Sequence, residues 1–164
     1  MQLIRRCLLA LLMILPVSMA QAHHGWSTFD SSKAYYIKGT VQYVRWGNPH
    51  SEVEMSVDMV ALPDDLRTRD LPPGANPDNG AATLASARPY DGDEDRIHLV
   101  LAGPGWMERW GLDRPLEEGE VIEVLGFISN EQPDALRPVM FWTGDGQGVW
   151  QQLTAFSTPP EPAN

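Results

Sequence analysis

Glu52-Val53-Glu54-Met55-Ser56-Val57-Asp58-Met59 alternates polar and apolar side chains along its whole length. Successive side chains of a strand point to opposite faces, so this period of two predicts a strand with one buried and one wet face. Val53, Met55, Val57 and Met59 would be buried, and the carboxylates would face water. Immediately upstream, Gly47-Asn48-Pro49-His50 is a turn signal, since Pro49 has no N–H and restricts Asn48 to extended conformations. Before the turn, Tyr36 to Trp46 is rich in β-branched and aromatic residues, with Gly39 marking a bulge or sharp bend. Two strands flanking a short turn predict an antiparallel hairpin.

Further along, Arg96–Ala102 places Ile97, Leu99 and Leu101 on one face and predicts a third strand. Trp106–Trp110 predicts a short helix or turn whose two Trp residues share a face. Val121–Phe127 and Arg137–Trp142 read as a fourth and a fifth strand, and Val149–Leu153 as a sixth. Residues 62–94 differ: prolines, glycines and acids punctuate them without apolar periodicity. They predict a long, mobile insertion adding little to the core, with at most a helical turn near Asp64–Arg69. The expected fold is all-β, a small barrel of five or six strands with one short helix. Strand number favours the oligonucleotide/oligosaccharide-binding type, and a β-sandwich is the alternative.

Residues 1–22 read as a signal peptide: Arg5 and Arg6, an apolar run from Leu8 to Val17, and Ala20-Gln21-Ala22 as a small-x-small cleavage site. Export to a bacterial periplasm is expected, with no membrane span after cleavage. Residues 23–35 would form an arm, 36–156 the barrel domain and 157–164 a disordered tail. The only cysteine, Cys7, lies inside the signal, so the mature chain has no disulfide and no thiolate for a metal. Net charge is −10; losing Arg5 and Arg6, with no acid in residues 1–22, makes it −12. Such acidity argues against nucleic acid as a partner. No Gly-x-Ser-x-Gly elbow, phosphate loop or His-Glu-x-x-His is present, so the chain reads as a binding module rather than an enzyme.

The nitrogen donors concentrate at the cleavage site. Cleavage after Ala22 makes His23 the terminal residue, whose amine and imidazole chelate one metal, with His24 beside it and His50 as a further ligand. Cleavage after Ala20 leaves a third-position histidine on a free terminus, which binds copper(II) or nickel(II). Amine and imidazole nitrogens suit copper(II). His98, opposite in parity to Ile97 and Leu99, reads as a solvent-facing strand residue. Met55, Met59, Met107 and Met140 invite a copper(I) reading through their thioethers, but Met55 and Met59 fall on the alternating apolar face, where core packing is the stronger claim. Of the six Trp residues, most read as core for a disulfide-free barrel, while Trp26 and Trp46 are kept as ligand-binding candidates, with Trp26 and Phe29 able to pin the arm. Asp91, Asp93 and Asp95 mimic the start of a calcium loop, but Arg96 stands where that loop needs glycine.

Ala22-His23-His24-Gly25-Trp26, Phe29-Asp30, Gly39-Thr40-Val41, Trp46-Gly47-Asn48-Pro49-His50 and Gly119–Gly126 together resemble a family of small exported bacterial proteins classed as a domain of unknown function. The resemblance spans most of residues 22–60 and 95–150. It implies export and a β fold, and no reaction. The functional expectation is an exported binding module that holds copper through His23, His24 and His50. The alternative is a metal-free barrel binding a small ligand or a periplasmic protein. A copper oxidoreductase, with an open position for oxygen, is the third class.

Overall fold

The computed structural model describes residues 28–151. Five strands close a barrel: β1 (Ala34–Arg45), β2 (His50–Ser56), β4 (Arg96–Ala102), β5 (Val121–Ile128) and β6 (Ala135–Trp142). Around the ring β1 pairs β2, β2 pairs β4, β4 pairs β6, β6 pairs β5 and β5 returns to β1. All these pairings are antiparallel except β4 with β6, where His98 and Leu99 lie in parallel register with Ala135 and Leu136. This five-stranded Greek-key ring, with helix α2 (Pro104–Arg109) between its third and fourth strands, is the oligonucleotide/oligosaccharide-binding topology. Two short strands lie outside the ring. β3 (Ala87–Pro89) runs parallel to β1, and β7 (Gly148–Trp150) antiparallel to β6.

Closure depends on two places where backbones touch. β1 pairs with β5 over Tyr35–Thr40 and then with β2 from Val41, with an irregularity between Val41 and Tyr43. At Gly39 a Cβ would run into the Ser56 carbonyl oxygen and the Met55 side chain, so only glycine lets β1 cross over β2 there. Gly126 answers Pro138 where the β5–β6 register shifts, and a Cβ there would meet the Arg137 carbonyl oxygen and Pro138. Pro138 has no N–H to give the ladder, and the bulge accommodates it.

The alternation of β1 separates two cores. Tyr35 and Ile37 point into the barrel with Val53, Met55, Ile97, Leu99, Leu101, Ile122, Val124, Leu136 and Phe141. Ala34 and Tyr36 point outward, into a second core with Leu125, Phe127, Val139, Met140, Trp142 and Trp150. Strands buried on both faces read as apolar runs, which is why β5 and β6 show little alternation.

The insertion closes that second core, contrary to the sequence expectation for residues 62–94. It holds a 3-10 turn (Leu66–Thr68), helix α1 (Pro77–Ala85) and β3, and it buries Leu66, Leu84, Ala87 and Tyr90. Asn76 caps α1 by accepting from the Asn79 N–H at 3.0 Å, with Pro77 at the first helical position. Its apolar residues are too few and too widely spaced to show a period, yet they face a sheet that needs covering. Arg69 fastens the segment. It donates to Asp65 at 2.8 Å and to Glu123 at 2.6 Å, with its guanidinium 5.0 Å from the centre of the Trp142 ring.

The alternating stretch also ends sooner than its pattern. Ser51, Val53 and Met55 are buried, but the chain leaves β2 after Ser56 and Met59 is exposed, its backbone bonded to Lys38. Met55 is a core residue, as expected, and Met107 and Met140 are buried too. Among the described residues no helix is long and apolar enough to cross a membrane.

Candidate functional site

In barrels of this type ligands lie on the face of the second and third ring strands, between the first hairpin turn and the loop joining the last two strands. Here those are β2, β4, the turn 46–49 and the loop 129–134. A cavity of about 220 Å³ opens there, lined by Thr28, Phe29, His50, Val100, Ser129, Glu131, Gln132, Ala135 and Arg137.

His50 opens β2 directly after the cis Asn48–Pro49 bond, in register with Ala102 at the end of β4. The turn before it rests on the start of α2, where a Cβ at Gly103 would meet Asn48 and the Pro49 carbonyl. The other wall is the end of the arm. Asn130 N–H donates to the Thr28 carbonyl at 2.7 Å, Asp30 N–H donates to the Ile128 carbonyl at 3.0 Å, and Phe29 bridges Ser129. Thr28–Asp30 is therefore stitched to the end of β5, and this brings the arm to His50. Phe29 packs against the outer core, as expected of an anchor, and the Arg137 guanidinium lies 5.8 Å from its ring centre. Burial pushes the Arg137 guanidinium below its ordinary pKa.

Three residues named from sequence, His23, His24 and Trp26, lie outside the described residues, as does the tail. Trp46 is half-buried against the interior core with Trp110, and it does not line the His50 cavity. Trp106 is the exposed ring, stacked on Trp110 at 5.7 Å. His98 is half-buried on β4, near Glu54, Arg96 and Asp134. Among the described residues, no three His, Cys, Asp or Glu side chains gather closely enough to hold a metal. Sequence reasoning missed Arg137 and Ser129. The signal for Arg137 was available: it is the one charge in the apolar run Ala135–Trp142.

A larger cavity, about 420 Å³, lies on the outer face where the insertion meets the barrel. Four of its five charged side chains, Lys38, Asp65, Arg69 and Glu123, are spent on one another. Glu123 accepts from the Tyr36 hydroxyl at 2.9 Å and from Lys38 at 3.4 Å besides Arg69. Burial alone would raise the Glu123 pKa, but Arg69, Tyr36 and Lys38 together hold it below the ordinary range. We read this as the clamp between two layers.

Residues 12–63 match a family of unknown function, DUF6152. The matched stretch contains His23-His24-Gly25-Trp26, β1, the Asn-Pro turn and β2; Gly119–Gly126 falls outside it. No curated protein matches the chain.

Proposed function

We propose that the chain is an exported binding module whose ligand site is the outer face of the barrel at His50, and that the ligand is copper(II). The observation that carries this reading is that Thr28 and His50 line one cavity. His24 is four residues before Thr28, and an extended chain spans at most ~3.6 Å per residue, so the histidine pair is tethered within about 14–18 Å of Thr28, which shares its cavity with His50. His50 alone is no metal site. His23 with its free amine, and His24, would supply the remaining nitrogens, a donor set that suits copper(II). Arg137 in the same cavity would oppose a bare dication and favour a site completed by an anion.

A signal-free protein with its authentic terminus, verified by mass spectrometry, tests this. Copper(II) should bind at one site, with nitrogen hyperfine structure in its paramagnetic resonance spectrum. Affinity should fall as the pH drops through the histidine range near 6.5, because protons compete for the same nitrogens. A spectrum unchanged by His23→Ala would sink the reading.

Arg137 favours one second reading, a metal-free site for a small carboxylate, in which the guanidinium binds the anion and Phe29 and Val100 supply apolar walls. Acetate binding that survives His23→Ala and a chelator, and is lost in Arg137→Met, would select it.

A further inference from the structure

A third cavity, about 150 Å³, opens on the other side of the 129–134 loop from His50, with Ser129 common to both. Two of its walls are tyrosines brought together by the parallel pairing of β1 and β3. Tyr35 is the second residue of β1, and Tyr90 follows β3 directly, its N–H donating to the Tyr36 carbonyl at 3.3 Å. The rings meet edge to face, with centroids 6.0 Å apart and planes at 86°. Perpendicular rings make a corner. Asp30 and Asp91 stand at its rim. Asp30 is held by the Ser32 N–H at 3.1 Å and by Lys33 at 3.6 Å. Asp93 and Glu94 add negative charge beside Tyr90, while Arg88 is the base acting on Tyr35.

We propose that this corner binds the head group of an organic cation, an alkylammonium. Ring faces carry negative potential and attract cations placed near them, and carboxylates at the rim add the longer-range attraction. The volume suits one head group and is well below the ~300–1,000 Å³ of sites for larger ligands. An inorganic divalent ion is a poorer match. Calcium requires about six to eight oxygens, and this cavity offers two carboxylates from separate segments beside Ser129 and Asn130, with no third acidic side chain gathered among the described residues. The chain's net charge of −10 enriches cations at its surface generally, and the aromatic corner supplies the selectivity.

The test is a nuclear magnetic resonance titration of the full chain, with labelled tyrosine rings, using tetramethylammonium chloride. A chelator is present throughout, and the neutral isostere 3,3-dimethylbutan-1-ol is titrated in parallel. Saturable shifts at Tyr35 and Tyr90 are expected, with affinity falling as salt is raised. Tyr90→Phe should retain binding, and Tyr90→Leu should weaken it about tenfold. Asp91→Asn, on the exposed rim, should weaken it several-fold without disturbing the fold, and it decides the matter should Tyr90→Leu not fold. His50→Ala should leave it unchanged, which separates this site from the copper reading. Equal affinity for the neutral isostere, shifts that do not saturate, or a stronger response to calcium in chelator-free buffer would each overturn the proposal.

Discussion

Glu123 decides whether the insertion stays on the barrel. Its side chain is only 19% exposed and accepts from Arg69, Tyr36 and Lys38. A carboxyl held below its unfolded value contributes stability above the unfolded pKa of about 4.3 and loses it as pH falls through the folded value. Urea midpoints should therefore fall as pH drops from 5 toward 3, and Glu123→Gln should flatten that dependence. At pH 7 the same substitution should cost about 2 kcal/mol, since it leaves Asp65 as the one carboxylate paired with Arg69. Gly39→Ala should cost about 3 kcal/mol or more, beyond ordinary overpacking, by pushing a methyl into the Ser56 backbone carbonyl and Met55, read as a lower urea midpoint. These two residues differ in legibility. Gly39 stands out as a glycine inside a β-branched run. Glu123 looks like an ordinary wet strand position, because its parity is opposite to Ile122 and Val124. Its partner Arg69 lies 54 residues away, and no local pattern joins them.

At the scale of elements, β2 and β4 are visible in the sequence because each has a wet face, and wetness produces alternation, whereas β1, buried on both faces at its start, is visible through its β-branched and aromatic residues. The pairing of β1 with β2 follows from the Asn48-Pro49 turn. β5 and β6 are visible only as apolar runs, and the reason they lack alternation is the insertion. Its attachment could not be read because Leu66, Leu84 and Ala87 carry no period and because α1 starts on Asn76-Pro77, a pair that also reads as a turn. The sequence alone predicts that a Gly/Ser linker in place of residues 62–94 leaves the fold intact. The structure predicts the opposite. That replacement would expose Tyr36, Leu125, Phe127, Val139 and Met140, and the near-UV circular dichroism should collapse while a hydrophobic dye binds. A milder probe, Leu66→Ala, should cost about 2–4 kcal/mol in chemical denaturation.

For the whole molecule, strand number and turn spacing point to the barrel type, and ring closure through the parallel β4–β6 pair excludes the sandwich. The site is less legible. His50 was found by its position after a stiff turn, but the wall opposite it, made by Phe29, Ser129 and Arg137, exists only because the arm pairs with the end of β5. A barrel that receives its own N-terminal arm beside a histidine is a scaffold on which terminal nitrogens and one fixed imidazole can share a ligand. The surface binding of a bare terminal chelate would need none of that scaffold.

The central claim is thus that the arm and the barrel bind copper(II) together. It is tested most directly by a double-mutant cycle of copper affinity on protein beginning at its authentic terminus, with wild type, His23→Ala, His50→Ala and the pair compared. The account predicts that each single substitution weakens binding by at least about tenfold and that the pair costs less than the sum, because both residues serve one ion. His98→Ala should change nothing. If His50→Ala binds copper as tightly as wild type, or if wild type binds no tighter than the double mutant, the account is contradicted.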